Sequence, residues 1–150
     1  MADSAPWFEY RVVVHPHHTD YAGIVWHGTY IAWLEEARVA YLQRHNLTFA
    51  DWVNAGVDLP VVDMALRYRQ SLRLGDEALI QARTAPFRGV RLVWQYEVLN
   101  SATQELCLDG TVTLATVDLT SRRVLRRLPD HLQAALSSPG EGKGQGAGQV

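Results

Sequence analysis

Apolar residues recur along this chain with two different periods, and the change of period divides it into elements. Phe8, Tyr10, Val12 and Val14 alternate with Glu9, Arg11 and His15, the pattern of a strand over residues 8–15 with one buried face. Pro16 lacks a backbone donor and ends it. A loop follows over residues 17–28, carrying Gly23 and Gly28. Thr29 is a suitable N-cap for the next element. Tyr30, Trp33, Leu34, Ala37, Tyr41 and Leu42 then recur at helical spacing, with Glu35, Arg38 and Arg44 mostly off that stripe. This predicts one long helix from residue 29 to about residue 46, buried on a broad face. Thr48 and Gly56 bracket a short second helix over 48–54.

From residue 59 the period returns to two. Val62, Met64, Leu66 and Tyr68 alternate with Asp63, Arg67 and Arg69. Turns at Gly75-Asp76 and Arg88-Gly89 separate strands over 77–86 and 90–99. In the latter, Leu92, Trp94, Tyr96 and Val98 oppose Arg91, Gln95 and Glu97. A loop at 100–103 precedes a long strand over 105–118, with Gly110 as a candidate bulge. A short strand near 122–126 and a helical turn over 129–136 complete the pattern. The Gly-rich segment 138–150 has almost nothing to bury and is expected to be disordered, leaving a domain over 1–137. One long helix with five to six strands joined by short turns is an α+β arrangement on an antiparallel sheet.

Composition narrows the function classes. At 150 residues with 47% apolar and 20% charged residues, the chain fits one soluble globular domain with a real core. A formal net charge of -2 argues against a nucleic-acid partner, which would require a basic stripe. Cys107 is the single cysteine, so an intrachain disulfide and a cysteine metal cluster are both excluded. The N-terminal residues carry neither a basic nor an apolar signal region, and no apolar run is long enough to span a bilayer. The expected compartment is the cytoplasm.

The chemistry concentrates in residues 19–30, T-D-Y-A-G-I-V-W-H-G-T-Y. Asp20 sits a few residues before a helix N-terminus, where exposed backbone N–H groups favour negative charge. A carboxylate beside such a helix end is a kit for attacking a carbonyl.

This stretch, with Tyr30 and the run Glu35-Glu36-Ala37-Arg38, resembles the hotdog-fold acyl-CoA thioesterases of the 4-hydroxybenzoyl-CoA thioesterase type. Arg88-Gly89 before Leu92-Val93, and Thr116-Val117-Asp118, are similar to that family as well, so the resemblance covers residues 8–136. It implies a central helix wrapped by a curved antiparallel sheet. It also implies a homodimer or homotetramer with active sites at subunit interfaces, acyl-CoA as substrate, and no metal or redox cofactor. His17-His18 stand where relatives often carry Glu or Gly, and Tyr21 stands where Pro or Ala is frequent. These departures bear on the substrate more than on the reaction.

By this resemblance Asp20 is the catalytic carboxylate, either nucleophile or general base. The structural alternative is an Asp that merely satisfies loop amides. His27 matches the position whose backbone N–H faces the thioester oxygen. Gly23 permits tight backbone geometry or close ligand approach. Trp26 is a candidate substrate contact, although Trp26, Trp33 and Trp94 are types that more often build cores and interfaces. Arg88 and Arg91 flank the turn expected near the CoA pantetheine and nucleotide, where a guanidinium fork suits phosphate.

Glu36, following His27-Gly28, loosely imitates a second hotdog branch that uses a helix glutamate. A solvated or salt-bridged carboxylate is the plainer reading of Glu35 and Glu36. His15, His17 and His18 match no common zinc spacing. Aromatic acyl groups such as 4-hydroxybenzoyl- or 1,4-dihydroxy-2-naphthoyl-CoA, short-chain acyl-CoA and acyl-carrier-protein thioesters all remain as substrates. Rival readings are a non-catalytic acyl-CoA-binding protein and a hydratase.

Overall fold

A computed structural model describes residues 6–85 and 91–137. Strand β1 (Phe8–Val13) leads through one 3-10 turn (Pro16–His18) and a loop into helix α1 (Thr29–Arg44). Helix α2 (Phe49–Asn54) and a two-residue strand β2 (Val57–Asp58) follow. Then come β3 (Val61–Tyr68), β4 (Glu77–Thr84), β5 (Arg91–Asn100), β6 (Leu106–Ala115), β7 (Val117–Asp118) and helix α3 (Asp130–Ser137).

Strands β1, β4, β5, β6 and β3, in that lateral order, form one antiparallel sheet. The alternation over residues 90–99 holds: Leu92, Trp94, Tyr96 and Val98 are all buried. Helix α1 places Tyr30, Trp33, Leu34, Ala37 and Tyr41 in the core against that face. The burial comes from this stripe, each large side chain contributing about 1.5–3 kcal/mol when removed from water. Helix α2 starts at Thr48 as expected, and Gly56 after it takes φ +70.

Several expectations change. The long strand over 105–118 divides after Ala115, and β7 leaves the main sheet to pair with β2. Gly110 is no bulge, since the register runs unbroken past it. A Cβ there would collide with the Ala65 carbonyl, so glycine permits close approach of β3. The bulges sit at Val61/Asp63 and Val98/Leu99 instead. The segment 122–126 contributes only a single bridge, Val117 to Val124. The final helical turn is a full α3, docking Leu132 and Leu136. The Arg88-Gly89 turn and the 138–150 tail lie outside the described residues.

The largest departure is β3. Its alternation predicts a buried face, yet Val62 and Tyr68 are each 50% exposed and Met64 and Leu66 only half-buried. Among the described residues it is an edge strand, paired with β6 on one side alone.

Candidate active site

Beyond the 3-10 turn, residues 19–25 fold into a tight hairpin. Thr19 bridges Val25, the Asp20 N–H donates to the Ile24 carbonyl at 2.8 Å, and the Gly23 N–H donates to the Asp20 carbonyl at 3.1 Å. Gly23 takes φ +73, which L side chains rarely adopt, while a Cβ there would meet nothing within 4 Å. The positive φ is the backbone requirement that glycine meets in this turn, and the space beside its Cα is open. The Asp20 side chain is held by one oxygen: Oδ1 accepts from the Ala22 N–H at 2.8 Å and the Ile24 N–H at 3.3 Å. Oδ2 has no protein partner among the described residues, and Asp20 is exposed. Loop amides orient this carboxylate and leave its second oxygen available.

The start of α1 is uncapped. Gly28 is the N-cap residue, already in the right-handed helical region, and no side chain caps the helix. Thr29, the expected cap, is instead the first helical residue, and its hydroxyl donates to the His18 carbonyl at 2.9 Å. The Trp26 carbonyl accepts the Thr29 N–H at 2.9 Å, and the His27 carbonyl accepts the Tyr68 hydroxyl at 2.8 Å. A peptide group is planar and trans, so fixing each carbonyl also fixes the N–H of the following residue. The N–H groups thus oriented, those of His27 and Gly28, find no acceptor among the described residues. They form the positive pole of the buried helix.

Aromatic rings border these amides. The Trp26 side chain is 53% exposed and lies over Gly28, where an added Cβ would run into its ring. The same ring leans on His27, with centroids 4.9 Å apart.

Tyr68 is the site residue that sequence reasoning missed, since its alternation assigned it to the core face. Its hydroxyl donates to the His27 carbonyl, and desolvation pushes its pKa up from 10. Nothing local in the sequence pairs positions 68 and 27; only the fold does.

Other candidates stay apart within one chain. Val13 of β1 pairs with Glu77, at the end of the sheet from which the Asp20 loop departs. Arg91 lies beyond the Thr84–Trp94 pair, at the opposite end. About ten residue steps separate these levels, on the order of 30 Å. Arg91 therefore does not join the Asp20 loop of its own subunit, and Arg88 lies outside the described residues. Glu36 accepts the Tyr10 hydroxyl at 3.2 Å, which ties it to β1. Glu35 lines a cleft of about 250 Å³ between α1 and α2, with Arg38, Leu42, Phe49 and Trp52. The rings of His15, His17 and His18 cluster, with His15 and His17 parallel and His18 tilted to both, and among the described residues no group of three ligating side chains has metal-holding geometry. Cys107 is buried, and burial pushes its thiol up and away from reactivity.

The comparisons agree with this architecture. The sequence profile of the thioesterase-like superfamily matches residues 14–136. A putative esterase of Synechocystis sp. is 48% identical over 130 residues, covering 87% of this chain and 78% of that protein. The acyl-CoA thioester hydrolase YbgC of Escherichia coli O157:H7 is 31% identical over 111 residues, covering 74% of this chain and 82% of that one. The crystal structure of a 1,4-dihydroxy-2-naphthoyl-CoA thioesterase from Synechocystis superposes with a TM-score of 0.80 at 22% identity, over 87% of this chain and 96% of that one. The central helix on a five-stranded antiparallel sheet is thus a hotdog fold, and the chain belongs to the thioesterase-like superfamily of hydrolases.

Proposed function

We propose that this protein hydrolyses an acyl-CoA thioester to the free acid and CoA, with Asp20 Oδ2 as the reacting oxygen. One observation carries the reading. A carboxylate is tethered through a single oxygen in the loop that leads into an uncapped helix start, and the two backbone donors there are unspent. Attack at the thioester carbonyl creates a tetrahedral oxyanion, and the His27 and Gly28 N–H groups stabilise it. Losing one such donor elsewhere costs about 3–4 kcal/mol of barrier. In the nucleophilic route, collapse expels CoA as thiolate and leaves an aspartyl mixed anhydride for water to cleave. In the base route, Asp20 takes a proton from the attacking water. The exposed Trp26 and His27 rings favour an aromatic acyl group over a short aliphatic one. YbgC is named for acyl-CoA in general, and the Synechocystis structure for 1,4-dihydroxy-2-naphthoyl-CoA, an aromatic acyl thioester.

The working unit is a homodimer, or a tetramer built from it. Exposed apolar edge strands are templates for pairing, and β3 presents Val61, Val62 and Tyr68 there. Two β3 edges meeting antiparallel about a two-fold axis would bring the Arg91 end of one sheet beside the Tyr68 end of the other. Arg91 then reaches CoA phosphates bound at the neighbouring Asp20 loop.

The test is thiol release over a panel of aryl and short-chain acyl-CoA, with wild type beside Asp20→Asn and Glu36→Gln. Loss of turnover in Asp20→Asn with activity kept in Glu36→Gln is expected. The reverse result would assign the reaction to the helix glutamate.

A further inference from the structure

The turn before Asp20 has a hub. The His18 carbonyl accepts both the Trp26 N–H at 3.0 Å and the Thr29 hydroxyl at 2.9 Å. One backbone oxygen thus ties the 3-10 turn before Asp20 to the start of α1. The His18 ring closes the other side, its Nδ1 accepting the His15 N–H at 2.9 Å. Its edge meets the Trp33 indole of α1, with centroids 5.2 Å apart. The His17 ring lies tilted against it with centroids 3.9 Å apart, and the His15 ring lies at 5.7 Å. Those two imidazoles are the titratable groups that face it, since α1 presents an uncharged indole.

We propose that neutral His18 is a positioning residue for the reaction: as the Nε2–H tautomer it locks the Asp20 hairpin onto the start of α1. The assignment rests on the hydrolase reading above. An acceptor at Nδ1 requires the ring proton to sit on Nε2. Protonating the ring puts a second N–H at Nδ1, facing the His15 N–H, and sets a positive charge against His17 and His15. The lock therefore opens on protonation. Burial first, then His17 and His15, hold the His18 pKa below the ordinary 6.5, so the closed form persists through neutral pH. The sign follows: the neutral ring's contribution is complete above 6.5 and is lost as pH falls through the lower folded value.

The experiment uses the full chain. The kcat and KM for an aryl-CoA are measured against pH for wild type, His18→Asn and His18→Leu, with melting temperatures to check folding. Asn keeps an acceptor near the Nδ1 position and cannot titrate; Leu keeps neither. Wild type is expected to lose kcat, with KM nearly constant, at a midpoint below 6.5. His18→Asn should retain kcat within about threefold and lack that midpoint. His18→Leu should lose roughly ten- to a hundredfold of kcat at every pH. Nitrogen-15 NMR of the wild-type ring should show Nδ1 unprotonated at neutral pH, whether or not turnover is seen. A protonated Nδ1, or a His18→Leu variant with wild-type kcat and pH profile, overturns the proposal. If wild type cleaves no acyl-CoA, the hydrolase reading falls instead. The lock is then decided by amide shifts over residues 19–25, which must move in His18→Leu and stay in His18→Asn.

Discussion

The two helices that follow one another in this chain begin in opposite ways. At α2 the Thr48 hydroxyl accepts the Asp51 N–H at 3.3 Å, and Asp51 Oδ2 accepts the Thr48 N–H at 2.7 Å and its hydroxyl at 3.0 Å. That is a reciprocal capping box, with the donors of the first turn met by side chains. At α1 the position offered to a cap is Gly28, and the amides of His27 and Gly28 remain open among the described residues. Both helices start with the same surplus of donors. One start meets them with side chains; in the proposed reaction the other would offer them to a ligand with a developing negative charge. Substitutions at the two starts should therefore separate activity from stability.

The largest effect is expected at the α1 end. Asp20→Asn should lower kcat by about a thousandfold in thiol release. Its melting temperature should stay near wild type, because an Asn Oδ1 can still accept from Ala22 and Ile24. A large loss of stability in this variant would make Asp20 another structural cap and erase the contrast between the two helix starts.

The next effect tests what closes the open helix start. Val62→Lys places a charge on the β3 edge, where the native valine is 50% exposed. Gel filtration or light scattering should show a shift to monomer, with a loss of roughly tenfold or more in kcat/KM. A fully active monomer would confine the site to one subunit.

Tyr68→Phe removes the hydroxyl that holds the His27 carbonyl. Its kcat should fall about fivefold, the worth of one neutral hydrogen bond, with KM little changed. An unchanged kcat would mean that the Gly28 amide is oriented without it.

The smallest change in turnover belongs to α2. Thr48→Ala should lower the melting temperature by about 2–4 °C and leave kcat at wild-type level. The α2 cap also carries a pH signature. Hydrogen bonds from the Thr48 backbone and side chain hold the Asp51 carboxyl below 3.8. The stabilisation is complete above 3.8 and is lost as pH falls through the lower folded value, so Asp51→Asn should flatten the acid limb of the melting-temperature profile.

Much of this molecule could be read from its sequence. The period of apolar residues determined α1 and the main strands, because burial of one face is a local constraint repeated along the chain. The caps of α2 and the turn at Gly23 were equally local, set by the few residues around them. The Asp20 segment was recognisable because the carboxylate, the turn glycine and the start of α1 all lie within twelve consecutive positions, residues 19–30. Tertiary structure decided the rest. It exposed β3, whose alternation matched that of interior strands, by placing it at the sheet's edge. It carried Arg91 to the far end of the sheet through strand register, and brought Tyr68 to His27 across forty-one positions. It also made Gly28 the helix start by turning the Thr29 hydroxyl toward His18. Periodicity records which face of an element is apolar, but the partner across a gap is chosen by register and packing between segments far apart in the chain.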